Sequence, residues 1–195
     1  MKIFKRYKIL AYFIALPVIA VSLIGAWALH IQISDNLHVV HEGELYRSAQ
    51  LSPKNLENAI RQHGIETVIN LRGTNLDEKW YRDEVSVTGK LNVRHIDFKL
   101  SASKVPTAKT IARLNEILEH APRPILIHCQ GGADRSGLVA ALYQHGIAGR
   151  PVEEAEDQLS FYYGHFPWLW SKSGAMDIAF EKYAEAPHAF VVGNK

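Results

Sequence analysis

The sequence predicts an α/β domain, a central and mostly parallel sheet flanked by helices, preceded by one N-terminal transmembrane helix. Three observations carry this. From about Ser34 onward, short apolar runs alternate with amphipathic stretches, the order expected of a sheet covered on both faces. Before that, Lys2, Lys5, Arg6 and Lys8 precede an uncharged run of 21 residues, Ile9 to Leu29. About 20 apolar residues cross a bilayer as a helix. Finally, the decapeptide HCQGGADRSG, 128–137, follows the apolar run Ile125-Leu126-Ile127, so a strand leads through a glycine loop into a helix.

The chain therefore divides into a basic segment with a membrane anchor, 1–33, and an α/β domain, 34–195. Ala26-Trp27-Ala28 has the small-x-small pattern of a signal-peptide cleavage site. The apolar run exceeds the roughly 7–15 residues of a signal core, which favours a retained anchor. Tyr7, Tyr12 and Trp27 sit near its ends, where amphipathic rings suit the interface. Basic residues precede the run and none follows until Arg47, which predicts a single pass with a cytoplasmic N-terminus and the domain on the outer side.

Within the domain, Leu45-Tyr46-Arg47 is a short strand candidate. Ser52 and Pro53 read as N-cap and first helical position of a helix that runs to about His63 and stops at Gly64. Thr67 to Leu71 is a compact strand. Residues 76–88 read as helix ended by Gly89, and Val93 to Phe98 as a strand. Pro106 opens an amphipathic helix with Ile111, Leu114, Ile117 and Leu118 on one face. Ile125 to His128 is a buried strand, Ser136 to Gly146 a helix. Pro151 opens another, and 174–186 form the last.

Composition narrows the function. The formal net charge is +2 with dispersed basic residues, which gives no nucleic-acid footprint. One cysteine excludes an internal disulfide and a thiolate-rich metal site, and ten histidines show no ligand spacing. Neither a metal nor a cofactor is expected.

The glycine loop carries the chemistry. Gly131 and Gly132 let the backbone turn so that successive N–H groups face inward, and the following helix aims its first amides at the same point. Gln130, Gly131, Gly132, Ala133, Asp134 and Arg135 then line an anion cradle. Cys129 stands at its start, where that field favours the thiolate. Arg135 offers a planar fork for two phosphate oxygens. Ser136 is placed to donate to the sulfur, and His128 to orient the loop.

His128-Cys129-Gln130-Gly131-Gly132-Ala133-Asp134-Arg135-Ser136 matches the H-C-x-x-G-x-x-R-[S/T] loop of cysteine-based protein tyrosine phosphatases. The chain resembles their dual-specificity branch, most of all its small bacterial and fungal members. LYRSAQLSP at 45–53, VINLRG at 68–73 and VRHIDFKLSASKVPT at 93–107 extend the likeness over roughly residues 38–165. The resemblance implies a protein tyrosine or dual-specificity phosphatase that works through a phosphocysteine without a metal. It also implies a general acid on a loop upstream of the cysteine. Asp97, 32 positions before Cys129, is one candidate; Asp134, inside the loop as in myotubularin-like lipid phosphatases, is the other. Asp77 and Asp83 are more distant alternatives. Arg47 and Arg72 are candidates to support the phosphate side of the pocket. The aromatic run FYYGHFPWLW, 161–170, is expected to pack in the core.

The substrate is then a phosphorylated protein, a small phosphomonoester or a phospholipid. An inositol-phosphate or phospholipid phosphatase is the rival within enzymes: an anchor favours it, and the absence of loop lysines disfavours it. A catalytically idle phosphate-binding module normally lacks the cysteine or arginine. A rhodanese-like sulfur carrier fits the loop pattern less well.

Overall fold

The computed structural model describes residues 2–167 and 172–190. The chain falls into two units, Met1–Ser34 and Asp35–Lys195. The first is helix α1, Lys2–Ile33, with Pro17 inside it. Phe13, Leu16, Val21 and Leu23 stand more than 60% exposed along it. Among the described residues no helix is long and apolar enough to cross a membrane. The expected transmembrane helix, its orientation and the membrane as partner thus find no support in the structure.

The second unit is built on a five-stranded sheet in the order β1-β2-β5-β3-β4. Its strands are β1 (His38–His41), β2 (Leu45–Ser48), β3 (Thr67–Asn70), β4 (Arg94–Asp97) and β5 (Ile125–His128). Three pairings are parallel, as expected; β1 adds an antiparallel edge. The sheet is mixed because a tight turn at Glu42–Glu44, with Gly43 at φ 73°, folds β2 back on β1. The sequence reading missed β1, whose four residues include two histidines and alternate little.

Helices α2 (Pro53–His63) and α3 (Lys79–Lys90) cover one face. Helices α4 (Ala108–His120), α5 (Asp134–Gly146) and α7 (Gly174–Glu185) cover the other, with the short α6 (Val152–Glu156) beside α5. Strand alternation sorts the two cores. Ile125 and Ile127 face the α4–α5–α7 side with Leu114, Leu138 and Phe180; Leu126 faces the α2–α3 side with Leu56, Ile60 and Val68. The Ser52 hydroxyl accepts from the Asn55 N–H (3.2 Å), and Gly64 ends α2 at φ 63°, as the sequence indicated. Helix α3 begins at Lys79 rather than at 76, because Asn75 folds back on the Gly73 carbonyl (2.5 Å) and holds the preceding stretch as a turn.

The aromatic run does not follow expectation. Phe161, Tyr162 and Phe166 are exposed, and Tyr163 lies under the guanidinium of the buried Arg47. Trp168, Leu169 and Trp170 lie outside the described residues. Strand register, more than core packing, positions the functional residues. The last residues of four strands, Ser48, His128, Asn70 and Asp97, stand side by side at the carboxyl end of the sheet. That edge is where open α/β sheets place their ligands.

Candidate active site

The loop from Cys129 to Ala133 joins β5 to α5 at that edge. Four consecutive carbonyls of it are tied outward. The Gln50 N–H donates to Gln130 O (3.1 Å), and Asn36 Nδ2 to Gly131 O (2.9 Å). The Arg47 guanidinium donates to Gly132 O (2.8 Å) and Ala133 O (3.0 Å). These peptides are trans, so each outward C=O turns the next N–H the opposite way. The amides of Gly131, Gly132, Ala133 and Asp134 therefore point into the loop. Gly132 sits at φ 70°, and a Cβ there would lie 2.6 Å from Ala49 N and 2.7 Å from Ser48 C. Only glycine lets the loop approach β2 this closely.

Arg47 is fully buried, and its guanidinium lies 4.0 Å over the Tyr163 ring and also holds Gln158 O at 2.7 Å. Burial lowers its pKa to about 10, against the pull of Tyr163, Cys129 and Asp134, so it stays charged at neutral pH. It supports the cradle from behind, through the carbonyls, rather than on the phosphate side as expected.

Cys129 is a buried free thiol. Arg135 donates weakly to Leu71 O (3.3 Å), while its Nε is buried with no hydrogen-bond partner among the described residues. Its fork thus has donor capacity left for an anion. Arg72 donates to Gln50 Oε1 (3.0 Å) and stacks 3.6 Å from the Trp80 ring centre. Burial, then the charge of Arg135, lowers its pKa, so two cations share this mouth. Ser136 departs from expectation: its hydroxyl donates to Ser48 O (3.5 Å) rather than to the sulfur. The close approach at Gly132 brings that β2 carbonyl within its reach.

His128 is held by Glu84, a residue the sequence reading did not single out. His128 Nε2 lies 3.1 Å from Glu84 Oε1, and His128 Nδ1 lies 3.4 Å from the Cys129 carbonyl. Glu84 also takes His95 Nε2 (2.8 Å) and Gln50 Nε2 (2.6 Å). Burial pushes its pKa up, but hydrogen bonds from His128, His95 and Gln50 outweigh it and hold Glu84 at about 2. Tyr81, Glu84 and Thr88 form the buried stripe of α3, so a carboxylate on an inward helical face was the available signal.

The two acid candidates have different surroundings. Asp97 accepts from Asn70 Nδ2 (2.8 Å), from the Thr74 hydroxyl (2.9 Å) and, by a short bond, from the Tyr81 hydroxyl. Its strand is separated from β5 by β3, about 10 Å at ordinary strand spacing. Asp134 opens α5 inside the loop, and its Oδ1 lies 2.7 Å from Nδ1 of His165. Asp83 pairs with Lys79 (2.5 Å), and Asp77 is exposed. Among the described residues no group of acidic, histidine or cysteine side chains is arranged to hold a metal ion.

Comparison with known proteins agrees with this geometry. The chain is 28% identical over 136 residues to the dual specificity protein phosphatase TpbA of Pseudomonas aeruginosa, covering 69% of this chain and 57% of that one. The chain thus spans little more than half the length of this curated relative. The structure of a TpbA variant in complex with pTyr superposes with a TM-score of 0.62 at 22% identity, covering 80% of this chain and 89% of that one. The core catalytic domain of the PP-IP phosphatase SIW14 from S. cerevisiae has the same fold, with a TM-score of 0.58 at 16% identity and coverage of 80% and 95%. The family model described as "DSP-PTPase phosphatase fused to NAD+ Kinase" matches residues 22–170, which includes the whole sheet and the loop, and the chain belongs to that family.

Proposed function

We propose that this protein hydrolyses phosphomonoesters through a phosphocysteine formed on Cys129, with phosphotyrosine-bearing protein as the substrate class. The outward tying of four successive loop carbonyls carries this reading, because it turns four amides onto one anion before any substrate arrives. The Cys129 thiolate attacks phosphorus in line, and the bond from phosphorus to the leaving oxygen breaks. The amides of 131–134 and the Arg135 fork hold the equatorial oxygens as charge moves outward. The leaving oxygen takes up a proton as it departs, with Asp97 and Asp134 as the two candidate donors; Asp97 already holds three hydrogen bonds and Asp134 holds His165. Water then cleaves the sulfur–phosphorus bond, which frees the thiolate and inorganic phosphate. Ser136 holds the loop against β2, and His128, oriented by Glu84, holds it against α3. The pTyr complex of TpbA favours an aryl phosphate over an alkyl one.

Arg72 beside Arg135 favours a second reading, a phospholipid or inositol phosphate carrying more than one phosphate. Helix α1 bears on it as well. Its uncharged run of 21 residues follows four basic residues, and on that sequence pattern alone we read it as a membrane anchor that leaves the catalytic unit on the outer face.

Cys129→Ser is expected to abolish turnover of an aryl phosphate while inorganic phosphate still binds. Arg135→Lys is expected to fail as well, since a point charge cannot grip two oxygens. Turnover by the Cys129→Ser protein overturns the phosphocysteine route. Capture of phosphotyrosine peptides rather than phospholipids by that same variant decides between the two substrate classes.

A further inference from the structure

The catalytic steps leave one buried ionisable side chain beside the loop without a task. His165 follows the 3-10 turn Phe161–Tyr163, and its side chain is completely buried. Its Nδ1 lies 2.7 Å from Asp134 Oδ1, and its Nε2 lies 2.9 and 3.2 Å from the two carboxylate oxygens of Asp177 on α7. Both ring nitrogens thus face carboxylates. A neutral imidazole carries a single N–H and satisfies only one of two ionised partners; an imidazolium satisfies both.

An aspartate in a phosphate cradle poses an electrostatic problem. At 4 Å, two like charges repel by about 4 kcal/mol at an effective dielectric constant near 20. The incoming phosphate is itself a dianion. A cation clamped onto Asp134 offsets that repulsion without withdrawing the carboxyl from the loop. It also fixes the rotamer: Oδ1 is committed to the ring, and Oδ2 makes no hydrogen bond among the described residues, so it is the oxygen left for the substrate.

We infer that His165 is a positioning residue of the phosphate loop: clamped to α7 by Asp177, it fixes Asp134 beside Arg135, and its positive charge offsets Asp134 against the bound phosphate. This rests on the reading of the loop as the phosphate site. The charged groups facing His165 are Asp134 from α5 and Asp177 from α7; its own segment, 160–167, carries no ionisable side chain besides Tyr162 and Tyr163. Burial lowers the pKa of His165, but the hydrogen bonds and charges of Asp134 and Asp177 outweigh that and raise it. The trio carries one net negative charge when His165 is protonated and two when it is not. Phosphate affinity should then fall as pH rises through the His165 titration, and by linkage phosphate should raise that titration point.

The test uses the full chain with inorganic phosphate as the probe. The His165 ring resonances are followed by NMR against pH, with and without saturating phosphate, and assigned through His165→Gln. The expected result is a midpoint above 6.5 that rises further with phosphate. Alongside this, competitive inhibition by phosphate is measured against pH for the native chain and for Asp177→Asn. That variant keeps the shape of a side chain that is already 30% exposed, and it removes one of the two partner charges. Its inhibition constant, offset at about pH 5.5 by the lost Asp177 charge, should begin to weaken at a pH lower by roughly one unit than in the native chain. Asp177→Glu should restore the native profile. A His165 titration unmoved by phosphate, or an Asp177→Asn profile that overlays the native one, overturns the inference. Should Asp177→Asn fail to fold, the phosphate-linked titration of the native chain decides by itself. Absence of phosphate competition at every pH instead sinks the loop reading, and this inference with it.

Discussion

Asp97 and Asp134 differ in what their oxygens already hold, and a general acid must have an oxygen to spare. Asp97 takes three donors, whereas Asp134 keeps one oxygen clear of the ring of His165. The Asn variant of whichever residue is the acid should slow hydrolysis of phosphotyrosine by about 10²–10⁴-fold, the usual worth of a positioned acid. An activated aryl ester, whose leaving group departs unaided, should lose far less. The other variant should slow both substrates alike, Asp97→Asn by loosening the turn at Gly73–Thr74 or Asp134→Asn by freeing the loop from His165. Steady-state rates of both variants on the two substrates decide between them. Cys129, Arg135 and Gly132 were legible in the sequence because their chemistry is local to one loop. Asn36, Glu84, His165 and Asp177 were not, because the first three reach the loop from 31 to 95 positions away and Asp177 acts through the His165 side chain. No spacing rule connects residues that only the folded sheet brings together.

Helix α3 contributes more to the site than its sequence announced. Its Glu84 joins β4 and β5 through His95 and His128 and steadies the residue before the nucleophile. The carboxyl titrates at about 2 in the folded chain against 4.5 ordinarily. A depressed carboxyl stabilises the fold fully above its unfolded value and loses that contribution as pH falls through the folded one. We expect about 3 kcal/mol to disappear between pH 4.5 and 2 by linkage. Urea midpoints across that window measure it, and Glu84→Gln should flatten the acid slope while lowering stability at neutral pH. His165 runs the other way: its raised pKa stabilises the fold below 6.5, and that contribution is lost as pH rises through the folded value. Most elements were legible because caps and periodicity are local: Ser52, Gly64 and the Ile111–Leu118 stripe behaved as their chemistry required. The start of α3 and the strand β1 were not, since an Asn75 turn and an antiparallel edge depend on partners elsewhere.

For the whole molecule, the alternation of strands and helices was enough to foresee the sheet and its two cores. A chain beginning at Ser34 should stay in solution and keep its aryl phosphatase rate, whereas the full chain should sediment with membranes. Sedimentation and rate measured together test this, and equal solubility of both chains removes the anchor reading. The outward-tied carbonyls have a consequence of another kind. A cradle assembled before its ligand arrives loses little order on binding, and it recognises the tetrahedral anion rather than whatever the anion is attached to. Inorganic phosphate, the product, presents the same tetrahedral set of oxygens as the substrate and leaves with no strain to expel it. On the proposed reading, inorganic phosphate should therefore compete with substrate for the loop, and initial rates should fall as free phosphate rises.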